Sequence, residues 1–205
     1  MPKLEFIFDF GSPNAYYSYK VLPDILARTG AEVEIHPVLL GGLFKITGNQ
    51  PPMMAFGGVK GKLEYEMLES ARFVAKHQLT DFTFNPHFPV NTISIMRGLL
   101  AAQALGCEKL YIDVVFSAMW EQSLKMDDLE VMGKALREGG LNAEAILELI
   151  QTDPIKEKLK ANTQAAADRG AFGIPTFFVG DDIYFGKDRL EQVEEALVSA
   201  AVLTR

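Results

Sequence analysis

Hydrophobic and polar positions divide the 205-residue chain into an early strand-rich region, a long helical region and a late strand-rich region. An aromatic and branched run at Leu4–Phe10 predicts a first strand, and an alternating run at Glu32–Leu40 predicts a second. Between them, Asn14–Arg28 has apolar residues at helical spacing, a Ser-Pro start signal and a terminal Gly30. This order predicts a βαβ unit with parallel strands.

The stretch from Gly41 to Gly61 is rich in glycine and proline and predicts a long loop, a feature that is often functional. Helical periodicity then continues to about Arg169, after which two short strands and an amphipathic helix close the chain. The predicted helices are Leu63–His77, Thr92–Leu105, Lys109–Glu121, Leu129–Gly139, Ala143–Gln151, Pro154–Arg169 and Asp188–Ala201, and the late strands are Thr176–Val179 and Ile183–Phe185.

The order β-α-β, a long helical region, then β-β-α is the arrangement of the thioredoxin fold with a helical insertion. We therefore predict an α/β thioredoxin-like fold. Residues 1–61 and 170–205 would form the sheet domain, and residues 62–169 would form an inserted helical domain. A cleft between two such domains is the natural place for a ligand.

Composition excludes several classes of protein. The chain is 48% hydrophobic and 23% charged, as in ordinary globular proteins, and its net charge of −7 argues against a nucleic-acid partner. Its one cysteine, Cys107, excludes an intrachain disulfide and dithiol chemistry. No signal peptide or membrane span is visible, so we expect a cytoplasmic protein without a membrane partner.

Metal and nucleotide sites are not predicted. The three histidines, His36, His77 and His87, are isolated and lack metal-ligand spacing. The glycine-rich stretch after Phe56 resembles a phosphate-binding loop, but Phe56 stands where that motif needs Gly and Leu63 where it needs Ser or Thr. We therefore expect no metal.

Three turns carry groups that could bind or react. Ser12 precedes a helix start, where free N–H groups and the helix dipole favour an anion such as a thiolate, but it also suits a simple N-cap. A cis bond between Ile174 and Pro175 would expose the backbone for pairing with a peptide-like ligand; an ordinary strand-start proline is the alternative. The turn Phe185–Arg189 could hold a carboxylate on its N–H groups and an ammonium on Asp188, which could equally be an N-cap.

In a thioredoxin-like fold, the first helix N-terminus and the proline turn lie side by side, so these signals reinforce each other. The segments FDFGSPNAYY, GNQPP, AFGIPTFFVG and YFGKDRL resemble, in order and spacing, the 2-hydroxychromene-2-carboxylate isomerases. These are glutathione-dependent relatives of the kappa-class glutathione transferases and the DsbA oxidoreductases. The resemblance covers essentially the whole chain. Where a DsbA-type enzyme carries Cys-x-x-Cys, this chain has Ser12-Pro13-Asn14-Ala15, which excludes disulfide exchange.

The resemblance implies glutathione as the cofactor and assigns roles to particular residues. Ser12 would hydrogen-bond the glutathione sulfur and keep it as a thiolate, and Ile174, before Pro175, would pair with the cysteinyl backbone. The remaining implied contacts are Lys187, Asp188 and Arg189 to the γ-glutamyl end, Asn49 and Lys60 to the glycyl end or the substrate, and Lys45 and Asn91 to an aromatic carboxylate substrate.

The implied activity is isomerisation of aromatic-ring degradation intermediates, by reversible thiolate addition, bond rotation and elimination, in a homodimer. Two alternatives stay open. A kappa-like glutathione transferase would use the same thiolate to conjugate electrophiles. A non-catalytic thiol- or peptide-binding module would have kept the fold alone, although the joint presence of Ser12, Asn49, Lys187 and Asp188 disfavours it.

Overall fold

The computed structural model describes residues 1–203; positions 204 and 205, which fall in the predicted sheet domain, lie outside the described residues. The strands are β1 (Lys3–Phe8), β2 (Glu32–Pro37), β3 (Thr176–Val179) and β4 (Asp182–Phe185). They form one sheet in the order β2-β1-β3-β4. β1 pairs with β2 in parallel, and the β1–β3 and β3–β4 pairs are antiparallel. The α/β thioredoxin-like fold is thus confirmed.

Helices make up most of the remaining chain, and six of them lie in the segment predicted as the insertion. They are α1 (Pro13–Thr29), α2 (Leu40–Thr47), α3 (Pro52–Phe56), α4 (Lys62–Lys76), α5 (Ile93–Ala104), α6 (Glu108–Trp120), α7 (Leu129–Glu138), α8 (Ala143–Leu149), α9 (Asp153–Asp168) and α10 (Leu190–Leu203). A short 3-10 turn, Lys187–Arg189, precedes α10.

Aromatic side chains pack around β1 and fix its carboxyl end. Phe6 stacks on Phe177 of β3 with ring centroids 5.0 Å apart. Phe10, just beyond the strand, makes edge contacts with Phe8 at 4.8 Å and with Phe116 of α6 at 4.9 Å. All five rings are buried, so the chain is anchored directly before Ser12 turns into α1.

The long loop predicted over positions 41–61 is wrong, because α2 and α3 occupy most of it. Local propensity disfavours a helix that contains two glycines, but tertiary contacts override it. Leu43 is fully buried, α2 packs against α9, and the Leu39 N–H donates to the Thr163 hydroxyl of α9 at 2.9 Å. Contacts with a distant helix therefore order a segment that looks irregular in sequence.

Several predicted boundaries also shift, among them those of β1, β2 and the closing helix. β1 ends at Phe8 rather than Phe10, because the chain turns there toward α1. β2 ends at Pro37, opposite Phe8 where β1 ends, and the Val38 N–H that follows donates to the Phe8 carbonyl at 3.2 Å. The closing helix begins at Leu190, and the predicted start at Asp188 falls instead in the 3-10 turn.

Candidate active site

The turn between β1 and α1 places Ser12 at the helix N-terminus. Ser12 has an extended backbone (φ −99°, ψ 115°), and its Oγ accepts a hydrogen bond from the Ala15 N–H at 3.3 Å. Pro13 takes the first helical position, where its missing N–H leaves no bond unmade. Ser12 is therefore an N-cap, and its hydroxyl lies at the positive end of the α1 dipole.

The same hydroxyl contacts the turn that leads into β3, residues 172–176, which we call the proline turn. Ser12 Oγ donates a hydrogen bond to the Ile174 carbonyl oxygen at 3.2 Å, and both residues are buried. The Ile174–Pro175 peptide bond is cis. The two turns that the fold was expected to bring side by side are thus in direct contact.

Hydrogen bonds hold the proline turn on both sides and, among the described residues, leave the Ile174 N–H unpaired. The Thr176 hydroxyl donates to the Gly173 carbonyl at 2.7 Å, and the Gly186 N–H donates to the Pro175 carbonyl at 2.9 Å. Within residues 1–203, the Ile174 N–H makes no hydrogen bond. An unpaired N–H beside the Ser12 hydroxyl suits an extended ligand that offers a carbonyl group.

Asn49 also joins the proline turn. It follows Gly48, which ends α2 in the left-handed conformation (φ 70°). Asn49 Nδ2 donates to the Phe172 carbonyl at 2.7 Å, and its Oδ1 accepts from the Gln50 N–H at 2.8 Å. The structure therefore holds Asn49 against the proline turn, at a residue two positions before Ile174.

The 3-10 turn supplies a pair of opposite charges. The side chain of Lys187 is buried, with Nζ 2.6 Å from Asp188 Oδ1 and 5.1 Å from the ring centroid of Phe73. The Asp188 side chain is 67% exposed, and Arg189 is exposed as well. Of this pair, Asp188 is therefore the charged group that a ligand can reach. The buried Lys187 ammonium partly neutralises the charge of its carboxylate.

The three remaining residues that were predicted to contact glutathione or the substrate lie outside the Ser12 turn, the proline turn and the 3-10 turn. Lys45 on α2 and Lys60 between α3 and α4 are exposed, and neither bonds or pairs with another residue of the described chain. Asn91 is exposed, and its Oδ1 accepts from the Ile93 N–H at 3.1 Å. Asn91 directly precedes Thr92, which contacts the Ser12 turn, so it is the one of the three tied to that turn.

Asp9 is a site residue that the sequence analysis missed. It is fully buried, and its carboxylate accepts from the Gly11 N–H at 2.8 Å, the Leu40 N–H at 2.7 Å and the Thr92 hydroxyl at 3.0 Å. Burial raises the pKa of Asp9, while these three hydrogen bonds oppose the rise. The signal in the sequence that could have identified Asp9 is its position as an acidic residue near the end of the apolar run Leu4–Phe10.

Trp120 is a second residue that was missed. Its indole N–H donates to the Phe10 carbonyl at 2.9 Å, which anchors the Ser12 turn from α6. Within residues 1–203 the Ser12 hydroxyl bonds only to backbone groups, with no histidine or carboxylate that could act as a base. The serine is therefore equipped to donate to an anion rather than to attack as a nucleophile.

Comparison with known proteins places this arrangement in a family. Residues 3–198 match a family model described as a DSBA-like thioredoxin domain. The chain belongs to the DSBA-like thioredoxin domain family. The match spans the sheet, α1 and the helices between β2 and β3, so it includes every candidate residue named above.

Within this DSBA-like family, relatives cover nearly the whole chain. A 2-hydroxychromene-2-carboxylate isomerase from Sphingobium xenophagum is 29% identical over 196 residues, 95% of this chain and 97% of the relative. Glutathione S-transferase kappa 1 from Rattus norvegicus is 30% identical over 200 residues, 92% of this chain and 87% of the relative. A solved 2-hydroxychromene-2-carboxylate isomerase superposes with a TM-score of 0.84 at 24% identity, over 98% of this chain and 97% of that one. The resemblance seen in the motifs is confirmed.

This DSBA-like domain has no cysteine in its helix-start turn. Its one cysteine, Cys107, is half-buried at the start of α6, past the carboxyl end of α5. The opposite end of α5 is the one that contacts the Ser12 turn, through Thr92. Cys107 therefore lies toward the end of α5 that is remote from the Ser12 turn.

A cavity of about 520 Å³ lies along the outer edge of β2 and contains none of the candidate residues. Side-chain amides of Gln103 and Asn162 cover that edge by donating to the Ile35 and Pro37 carbonyls at 3.2 Å and 3.1 Å.

Among the described residues, no helix has the length and apolar character to cross a membrane. In the same part of the chain, no group of three or more His, Cys, Asp or Glu could hold a metal ion.

Proposed function

We propose that this protein is a glutathione-dependent isomerase of the 2-hydroxychromene-2-carboxylate type, acting on aromatic-ring degradation intermediates. The observation that carries the proposal is the Ser12 hydroxyl, held between the α1 N-terminus and the partly unpaired backbone of Ile174. A full-length relative named as this isomerase supports the same reaction class. Bound glutathione would supply a thiolate that adds reversibly to an electron-poor alkene carbon, permits rotation about the former double bond, and leaves again.

The Ser12 turn suits a thiolate for electrostatic reasons. A thiol with a pKa near 8.5 is only a few per cent ionised at pH 7, so lowering that pKa by about two units makes the thiolate the main form. Ser12 would redirect its O–H from the Ile174 carbonyl to the sulfur, and the α1 dipole would add to the stabilisation. The freed Ile174 carbonyl and the unpaired Ile174 N–H, ahead of Pro175, would then pair with the cysteinyl backbone.

The two ends of glutathione carry charges that match the flanking residues. Asp188, balanced by Lys187, would bind the γ-glutamyl ammonium, and backbone N–H groups of the 3-10 turn with Arg189 would bind its carboxylate. At the other end, the Asn49 amide and the Lys60 ammonium would bind the glycyl carboxylate. Asn49 is already fixed on the proline turn by its bond to the Phe172 carbonyl.

An aromatic carboxylate substrate would meet Lys45 and Asn91. We propose that residues 62–169 form the helical domain that covers the sheet domain of residues 1–61 and 170–205. Bonds from Thr92 and Trp120 to the Ser12 turn support this division, because both donors come from the helical segment. Substrate and cofactor would then meet between the two domains.

We propose that the protein is a cytoplasmic homodimer, whose partners are otherwise small molecules rather than nucleic acid or membrane. A single cysteine, which allows no intrachain disulfide, supports the location. The dimer is supported by a group of exposed apolar side chains on α3, on α4 and between them, since exposed apolar residues mark interfaces when they are grouped. Its residues are Met53, Met54, Phe56, Val59, Tyr65, Met67 and Leu68. Sedimentation analysis tests this: a monomer at high concentration would contradict it.

The decisive experiment compares turnover with catalytic and with stoichiometric glutathione, on a 2-hydroxychromene-2-carboxylate substrate. An isomerase converts many substrate molecules per glutathione and leaves its concentration unchanged. A kappa-like transferase, the alternative favoured by the 30% identity to the rat enzyme, consumes one glutathione per product. A non-catalytic module binds glutathione without turnover, and either of these two outcomes would reject the proposal.

A further inference from the structure

Asp9 lies where three separate parts of the candidate site meet. Its Oδ1 accepts from the Gly11 N–H in the Ser12 turn. Its Oδ2 accepts from the Leu40 N–H at the start of α2 and from the Thr92 hydroxyl at the start of α5. The carboxylate is fully buried and has one donor from each part.

The N-cap residues of the two helices that meet Asp9 make no capping hydrogen bond through their own side chains; at α5 the Asn91 side chain accepts from the Ile93 N–H instead. The N-cap position of α2 is Leu39, which has no acceptor side chain, and the Thr92 side chain does not cap α5. Asp9 therefore supplies an acceptor to the first N–H of α2 from another part of the chain, and it places negative charge near two positive helix ends. Removing it would leave the Leu40 N–H without its only acceptor within residues 1–203.

We propose that Asp9 is a positioning residue that holds the Ser12 turn, α2 and α5 in one fixed arrangement. Because α2 leads through Gly48 to Asn49, Asp9 would set the distance between the Ser12 hydroxyl and the Asn49 amide. Through Thr92 it would set the position of Asn91. The inference rests on the proposed function only in calling these groups a glutathione and substrate site; the three-way connection stands without it.

Asp9→Asn and Thr92→Val test this role, alone and together. The Asn amide can still accept from Gly11 but presents a donor to the Leu40 N–H. Val at position 92 keeps the methyl group that lies against Gly11 and replaces the hydroxyl with a second methyl group of similar size. Thr29→Val, at the far end of α1, is the matched control, since that hydroxyl bonds only local backbone.

Three measurements separate positioning from other roles: the glutathione dissociation constant, the pKa of the bound thiol from its thiolate absorbance, and amide hydrogen exchange in the free protein. We expect both variants to weaken binding by about tenfold, to raise the thiol pKa, and to speed exchange at Leu40. The double variant should be little worse than Asp9→Asn alone, because the two changes break one connection. Thr29→Val should change only the melting temperature.

Two outcomes would overturn the inference. A lower melting temperature with unchanged thiol pKa and affinity would make Asp9 purely structural. A lower thiol pKa in Asp9→Asn would mean that Asp9 acts through its negative charge instead of through position. Should Asp9→Asn fail to fold, Thr92→Val, which keeps the Asp9 charge, still separates a positioning role from a purely structural one. If the unmodified protein binds no glutathione, the proposed function fails, while exchange at Leu40 still accepts or rejects the three-way connection.

Discussion

The Ser12 hydroxyl donates a hydrogen bond to the backbone carbonyl of Ile174, 162 positions further along the chain, at 3.2 Å. One oxygen atom therefore caps α1, through the Ala15 N–H, and also fastens the helix start to the proline turn. A hydroxyl that already accepts from an N–H has one proton to give, and here it gives that proton to a carbonyl. An anion that arrived at this position would compete for the same proton with the advantage of its charge.

Replacing Ser12 with Ala removes that donor. We expect Ser12→Ala to raise the pKa of the bound glutathione thiol and to slow turnover at pH 7 by roughly ten- to 150-fold, the value of a hydrogen bond to a charged group of about 1.5–3 kcal/mol. Part of the loss should be recovered at high pH, where the thiol ionises without help. The pH–rate profile is the measurement.

The cap role of Ser12 needs a control, because loss of an N-cap alone costs about 0.5–2 kcal/mol of stability. Ser18→Ala is suitable, since Ser18 is also buried on α1 but its hydroxyl donates to the Asn14 carbonyl, at 2.9 Å. It should lower the melting temperature without moving the pH–rate profile. If Ser12→Ala behaves like Ser18→Ala, Ser12 is only a cap and the proposed mechanism is wrong.

Asp188→Asn tests the γ-glutamyl end. Loss of a charge-assisted hydrogen bond should weaken glutathione binding by about 1–3 kcal/mol, measured by calorimetric titration. The maximal rate at saturating glutathione should change less, because Asp188 is remote from the sulfur. Stability should also fall slightly, since the buried Lys187 ammonium loses its charged partner.

The control for Asp188 is Asp182→Asn on β4. Asp182 is exposed, and its side chain makes no hydrogen bond to any residue within 1–203. This variant should bind glutathione normally. If the Asp188 and Asp182 variants bind glutathione with equal affinity, Asp188 does not contact glutathione.

Cys107→Ala should keep near-normal turnover. Cys107 lies past the carboxyl end of α5, and the twelve helical residues of α5 put it about 18 Å along the axis from Thr92. A steady-state assay of the variant, with far-ultraviolet circular dichroism to verify folding, is sufficient. A thousandfold loss of turnover in a folded variant would indicate that the nucleophile belongs to the protein and is not the glutathione thiolate.

The sequence could predict the sheet, α1 and the large helices because their signals are local. Ser12 as an N-cap, for example, follows from the Ser-Pro pair and the apolar spacing behind it. Two features were out of reach for one physical reason. The order of α2 depends on Thr163 and on burial of Leu43, and the role of Asp9 depends on donors from two distant segments, the starts of α2 and α5. Only the tertiary structure brings such partners together.

Glu5 of β1 forms an ion pair with Arg169, which follows α9, and this pair gives a pH-dependent prediction away from the site. Arg169 donates two hydrogen bonds to Glu5, at 2.6 Å and 3.0 Å, and its guanidinium carbon lies 3.9 Å from the Phe178 ring centroid. The hydrogen bond from Arg169 lowers the pKa of Glu5 below its ordinary value of 4.5, and the charges of Arg169 and His36 add to this against partial burial. Because the pKa is lower in the folded state, Glu5 stabilises the fold fully above about pH 4.5. That stabilisation is lost as pH falls through the folded value.

Glu5→Gln should therefore lower the free energy of unfolding by about 1 kcal/mol at neutral pH, after allowance for the partial exposure of both side chains. The difference between the two proteins should shrink as pH falls below about 4.5, because protonated Glu5 and Gln are then equivalent. Urea unfolding at a series of pH values measures this. Glu157→Gln is the control, since its pair with Lys160 is exposed and should contribute less than about 0.5 kcal/mol. A Glu5→Gln effect that stays constant through the acid range would show that packing of the Glu5 side chain, rather than its charge, stabilises the sheet.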